Sequence, residues 1–200
     1  FFNLRLSLPK VNLAKYYRSL SFGSSTYLYD LTCDAVIRNF NFELREISQY
    51  IQMTNSAAYK TAHSEFNTSR SGEYQEGLVF GIHLFVPIII GLKLYSQSMY
   101  NNFVDGNDSS SLISICSFLD PAYFDRLLNE GEAYKGESIN RVATGIEKDK
   151  TITELYKAIF NNQSFPVLNQ FRVGRLTFHK DVKNELLKIS NLFSIHASLD

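Results

Sequence analysis

The uncharged run from Gly77 to Leu92, GLVFGIHLFVPIIIGL, constrains the fold more than any other stretch of the chain. A helix that crosses a bilayer needs roughly 20 predominantly apolar residues. This run is shorter, and it contains His83 and Pro87. We therefore expect a buried central helix over residues 76–95, with a membrane-inserted helix as the alternative.

Helical spacing of apolar residues continues through most of the chain, and capping or turn-forming residues separate the periodic segments. Thr151 and Glu154, for example, have the spacing of a capping box. The predicted helices besides the central one cover residues 12–20, 27–38, 42–54 with a continuation to 66, a short segment ending at Gly106, a segment capped by Asp108 or Ser109, 121–129, 152–162 and 181–194.

The stretch NFNFELREISQYIQM opens one of these helices. Leu44, Ile47 and Ile51 recur at helical spacing, so we expect them on one buried face. Asn41 stands where an N-cap is expected. Arg45 lies one residue beside the apolar stripe, at the start of the helix.

The N-terminal segment FFNLRLSL is the only clear strand signal that we find, since Phe2, Leu4, Leu6 and Leu8 share one face. Pro9 ends the segment. A lone strand needs a sheet to join, and the remaining residues give no sign of one. We therefore expect that part of the protein precedes this chain. The predicted fold class is all-α, an irregular multi-helix bundle with one residual N-terminal β-strand.

Composition and charge argue against several classes of function. Lys and Arg total 20, as do Asp and Glu, so the formal net charge is zero and the basic excess of a nucleic-acid-binding protein is missing. The two cysteines, Cys33 and Cys116, are far apart, which gives neither a disulfide framework nor a zinc-ligand spacing. We therefore expect neither nucleic acid nor a metal ion as a ligand of this chain. A local basic patch is the alternative for nucleic acid, and it would comprise Arg172, Arg175, Lys180, Lys183 and Lys188.

The sequence contains no H-E-x-x-H or G-x-S-x-G motif, and its one phosphate-loop-like stretch is incomplete. GEAYKGES has the glycine spacing of a phosphate-binding loop, but Glu137 stands where lysine is required, and a carboxylate repels phosphate. His83 is expected in the core. A small enzyme built on His83 or His179 is an alternative that requires these side chains to converge in a pocket. Asp30 and Asp34, one helical turn apart, are expected on a solvated face.

Three stretches, in this order, resemble the end of the KAP family of P-loop NTPases. Residues 1–20, FFNLRLSLPKVNLAKYYRSL, resemble the last strand of the family's core and the short helix after it. Residues 40–52, FNFELREISQYIQ, are similar to the lid helix that follows. Residues 87–106, PIIIGLKLYSQSMYNNFVDG, are similar to a later lid element. Beyond about residue 120 the resemblance ends.

The resemblance implies that ATP and Mg are bound by an upstream α/β core with Walker A and Walker B motifs, neither of which is in this chain. The chain alone would then be inactive, and the parent protein would be an ATPase. Prokaryotic relatives are associated with phage exclusion, and many members carry membrane segments. The implied location is cytoplasmic, with membrane association only through the parent protein.

Arg45 is the residue to which the resemblance assigns a role, because it matches the arginine of the lid-helix motif. In such lids an arginine early in the helix reaches the terminal phosphates of the nucleotide. A guanidinium is permanently charged and forks onto phosphate oxygens, so the chemistry fits. We interpret Arg45 as a nucleotide-sensing residue, with an ordinary surface charge as the alternative.

The sequence thus predicts two regions. Residues 1–106 would be the end of the NTPase core strand and the helical lid, and residues 107–200 a C-terminal helical extension. The lid would couple nucleotide state to conformational change, and its partners would be the upstream NTPase core and either another protein or a second copy of itself. The alternative is a self-contained α-helical protein–protein interaction module.

Overall fold

The structure, a computed structural model, describes residues 27–63, 72–119, 145–161, 170–174 and 176–191. Within these ranges the chain is mostly helical with one small antiparallel sheet, which confirms the all-α prediction. The elements are α1 (Tyr27–Phe40), α2 (Leu44–His63), α3 (Gly72–Tyr95), α4 (Gln97–Val104), α5 (Ser110–Cys116), α6 (Gly145–Phe160), β1 (Gln170–Val173), β2 (Leu176–His179) and α7 (Val182–Ser190). The predicted strand over residues 2–8 and the predicted helices over 12–20 and 121–129 lie outside the described residues.

Helix α3 forms the centre of the described structure. Helices α1, α2, α4 and α7 and strand β2 all pack against it. Because α3 is apolar on all sides, its side chains are removed from water only when other elements pack around the whole helix. Its most deeply buried side chains are Leu84, Phe85, Val86, Ile88, Ile89, Ile90 and Leu92. As predicted, α3 is a central helix that is mostly buried among the described elements. It is also long and apolar enough to cross a membrane, so the choice between the two stays a prediction.

Two glycines let neighbouring elements approach α3 closely. A Cβ atom on Gly77 would collide with the backbone carbonyl of Thr177 in β2. A Cβ atom on Gly91 would collide with the Val36 side chain in α1. A backbone carbonyl cannot rotate aside as a side chain can, so the short distance between α3 and β2 depends on Gly77.

The turn between α1 and α2 differs from the sequence prediction. Asn41 is not the N-cap of α2; its φ of 49° places it in the left-handed region at the end of α1, which Asn tolerates better than most residues. Phe42 packs into the core, while Leu44, the first residue of α2, is 54% exposed. The predicted burial of Leu44 was wrong, because the turn between α1 and α2 places Phe42 in the core instead. Ile47 and Ile51 are buried as expected.

Strands β1 and β2 form an antiparallel hairpin, which the sequence pattern did not predict. Gly174, with a φ of 56°, supplies a left-handed residue at the turn. Phe171 pairs with Phe178 across the ladder, and their buried rings stack with centroids 5.3 Å apart. The expectation that no strand follows the N-terminal segment was wrong, because four-residue strands carry too few alternations to stand out from helical spacing.

Helix α6 begins earlier than predicted. It starts at Gly145, so Thr151 lies inside the helix and the proposed capping box was wrong. The Lys148 ammonium donates to the carbonyls of Cys116 and Leu119, at 2.8 and 3.2 Å. These bonds tie the first turns of α6 to the end of α5. The capping pattern of Thr151 and Glu154 is local, so it cannot reveal a contact between segments that are far apart in the sequence.

The ends of α4 and α5 agree with the sequence prediction. Gly106 follows α4 with a φ of 81°, a backbone conformation that favours glycine. Ser109 is the N-cap residue of α5, but its side chain makes no capping hydrogen bond, and the preceding Asp108 supplies the side-chain acceptor. Its carboxylate accepts from the Ser110 backbone N–H at 2.8 Å and from the Ser110 hydroxyl at 2.9 Å.

Residues on both sides of Gly106 contribute to one hydrophobic core. Phe160 in α6 packs edge-on against Phe85 in α3, with ring centroids 5.4 Å apart. The Tyr156 hydroxyl donates to the Phe103 carbonyl in α4 at 2.7 Å. The division into a lid and an extension therefore stays a prediction, and the described parts of the two regions are packed together.

The glycine contacts predict opposite effects for two matched substitutions in α3. Gly77→Ala should destabilise the fold by about 1–3 kcal/mol, because the new methyl group forces β2 away from the helix. Gly81→Ala is the control, since its Cβ would lie 3.6 Å from the nearest atom of Leu186, an ordinary contact. That change should be neutral or should stabilise the fold by up to about 1 kcal/mol through helix propensity.

Urea unfolding of both variants measures these free energies. Equal effects at the two positions would contradict the close approach of β2 to Gly77.

Candidate functional site

The start of α2 places Arg45, the predicted nucleotide-sensing residue, on the surface. The carbonyl of Glu43 accepts the first helical hydrogen bond, from Ile47, at 2.8 Å. The Glu46 carboxylate turns back and accepts from the Glu43 backbone N–H, also at 2.8 Å. This is one half of a capping box, and it fixes the turn that carries Arg45. The Arg45 side chain is exposed.

The charge around Arg45 is mixed. The N-terminal end of a helix carries positive partial charge, which adds to the guanidinium in attracting an anion. Glu43 and Glu46 oppose this attraction, since their carboxylates lie within two positions of Arg45. Arg45 takes part in none of the ion pairs found within the described ranges. The exposed Arg45 guanidinium can therefore donate hydrogen bonds to an anion that is bound on another protein surface.

Two exposed apolar side chains lie at the same end of the bundle as Arg45. Leu44 is 54% exposed, and Tyr95, at the end of α3, is 51% exposed. The Tyr95 ring stacks on Phe40 with centroids 4.6 Å apart and lies 6.5 Å from the Phe42 ring. These rings join the end of α3 to the turn between α1 and α2. We call Leu44, Arg45 and Tyr95 the turn surface.

A buried hydrogen bond also joins α2 to α3. The Tyr50 hydroxyl donates to the Pro87 carbonyl at 3.2 Å, and the Tyr50 ring lies 5.7 Å from the Phe42 ring. Tyr50 is fully buried, so this bond offsets part of the desolvation cost of its hydroxyl. The stretches 40–52 and 87–106 therefore pack directly against each other.

A second polar junction links α1, α2 and α3. The Tyr29 hydroxyl donates to the Thr54 carbonyl at 2.6 Å, and the Tyr29 ring meets the His83 ring edge-on, with centroids 5.9 Å apart. Burial raises the pKa of Tyr29 and lowers the pKa of His83. Both side chains are therefore neutral near pH 7. His83 lies half-buried at this helix junction, so the expectation of a core histidine is met only in part.

Neither cysteine is an activated nucleophile, and His83 and His179 have different neighbours. Burial raises the pKa of Cys33 and raises that of Cys116 to about 12, so both thiols stay protonated and weakly nucleophilic. His179 lies beside Asp181, with Nδ1 3.6 Å from the carboxylate, whereas His83 belongs to the junction with α1. Within the described ranges no three His, Cys, Asp or Glu side chains are grouped as metal ligands.

Asp30 and Asp34 lie one turn apart on α1 but differ in their surroundings. The Asp34 carboxylate is partly exposed and pairs with Arg38 at 2.7 Å. One carboxylate oxygen of Asp30 is buried without a hydrogen-bond partner, and burial raises the pKa of this group. The expectation of a solvated face therefore holds only in part for Asp30, since the residue is partly exposed while one of its carboxylate oxygens is buried.

Comparison of the chain with protein-family models, with characterised proteins and with solved structures finds no match. The resemblance to the KAP family therefore stays a prediction drawn from the three stretches. The nucleotide-sensing role of Arg45 is a hypothesis of the same kind.

The surroundings of the two α1 carboxylates predict opposite effects of the same substitution. Asp30 has its pKa raised above the unfolded value of 3.8, so its contribution to stability is present below pH 3.8 and lost as the pH rises through the folded-state pKa. Asp30→Asn should therefore stabilise the fold at pH 7. Asp34→Asn loses a surface ion pair and should destabilise it slightly, by at most about 0.5 kcal/mol.

Urea unfolding at pH 7 compares the two variants. A lower stability of Asp30→Asn would show that the buried carboxylate is stabilised by a contact that outweighs its desolvation.

The lowered pKa of His83 predicts that the stability of the fold depends on pH. Its folded-state pKa lies below the unfolded value of 6.5, so its contribution is fully present above pH 6.5 and is lost as the pH falls toward the folded-state pKa. His83→Gln removes the titrating group and should reduce the loss of stability between pH 7.5 and pH 5.5. Unfolding curves across this range measure the slope. An unchanged slope in the variant would mean that His83 is not desolvated at the junction.

Proposed function

We propose that this chain is the C-terminal lid and partner-binding helical region of a KAP-type P-loop ATPase. The catalytic core, with its ATP and Mg, would lie upstream in the same polypeptide, and this chain would not hydrolyse ATP alone. Its work would be to convert nucleotide state into a movement that a partner detects. The resemblance suggests phage exclusion as the biological process and a cytoplasmic location.

The packing of two motif-bearing stretches is the observation that supports this proposal most. Residues 40–52 and 87–106 are separated in the sequence, yet Phe42 and Tyr50 of the first contact Tyr95 and Pro87 of the second. If the two stretches derive from one lid, their motifs are expected to form one folded unit. The contacts between α2 and α3 meet that expectation.

The exposure of Arg45 is the second supporting observation. A residue that reads a phosphate across an interface must be accessible before the interface closes, and Arg45 is accessible at the start of a long helix. Leu44 and Tyr95 add apolar area to the same end of the bundle. In the proposal the turn surface packs against the core when ATP is bound, and Arg45 forks onto the terminal phosphates.

The core contacts of α3 suggest how such a movement would be transmitted. A shift of α2 would act on α3 through the bond from Tyr50 to the Pro87 carbonyl. From α3 it would reach α6 through the contact between Phe85 and Phe160. Packed side chains of this kind carry coupling only if the helices have two arrangements. The partner would bind within residues 107–200.

The second candidate is a self-contained helical interaction module with no NTPase attached. One observation favours it: the described elements already bury most of α3 in a single hydrophobic core. In that case the turn surface would be part of an interface with another protein, and Arg45 would be an ordinary surface charge.

The sensor hypothesis predicts the behaviour of Arg45→Ala in the full-length protein. ATP turnover or nucleotide affinity should fall about ten- to a hundredfold, since a hydrogen bond to a charged group contributes about 1.5–3 kcal/mol. Arg45→Lys should recover only part of the loss, because an ammonium cannot form the bidentate fork. Arg38→Ala is the matched control, since Arg38 is another exposed arginine, on α1, and pairs with Asp34.

Unchanged turnover and affinity in Arg45→Ala would remove the sensor role. The assignment to an ATPase is tested separately by the sequence upstream of Phe1. A GxxxxGK[ST] motif within roughly 250–400 residues, an estimate from domain sizes, supports the lid, and its absence from the parent protein supports the interaction module.

A further inference from the structure

We draw no further inference here: the strongest candidate, the exposed apolar pair Leu44 and Tyr95 at the end of the bundle where α1 turns into α2, belongs to the turn surface already described, and nothing in the structure shows what else covers it.

Discussion

Burial of α3 is the constraint on which the rest of the described structure depends. The helix has no polar face to turn toward water, so helices α1, α2, α4 and α7 and the hairpin must enclose it. Burial of its apolar side chains also supplies much of the free energy that holds these elements together, at roughly 25 cal/mol per Å² removed from water. Gly77 and Gly91 allow β2 and α1 to approach α3 closely enough to exclude water from its surface.

Hydrogen bonds from buried tyrosines determine how the helices are aligned on this core. The hydroxyls of Tyr29, Tyr50 and Tyr156 each donate to a backbone carbonyl of a different helix, at 2.6, 3.2 and 2.7 Å. A buried hydroxyl needs a partner, whereas apolar contacts alone tolerate small shifts along the helix. The tyrosines therefore restrict the register between helices that apolar packing brings together. The hydrogen bond from Tyr50 to α3 also restricts the position of α2, whose first turn carries Leu44 and Arg45 of the turn surface.

The sequence correctly predicts the elements that one strong local signal determines. It fails where contacts between residues distant in the chain determine the local structure. The uncharged run predicts α3, and Gly106 predicts the end of α4. Local signals failed at Thr151, since α6 begins at Gly145 and Lys148 bonds to the end of α5, and at Leu44, since the turn buries Phe42 instead. For the candidate site, the sequence located Arg45 at the start of a helix. Its accessibility, and the contact of Tyr95 with Phe40 and Phe42 at the same turn, follow from the packing of α1, α2 and α3, which no local pattern contains.

Hydrogen–deuterium exchange of the α3 amides tests the enclosed central helix most directly. The backbone amides from Leu84 to Ile90, apart from Pro87, should exchange more slowly than those of the other helices in aqueous buffer, and they should open only with global unfolding. Exchange of these amides within seconds, or protection that arises only when lipid vesicles are added, would show that α3 is not the buried core of this protein.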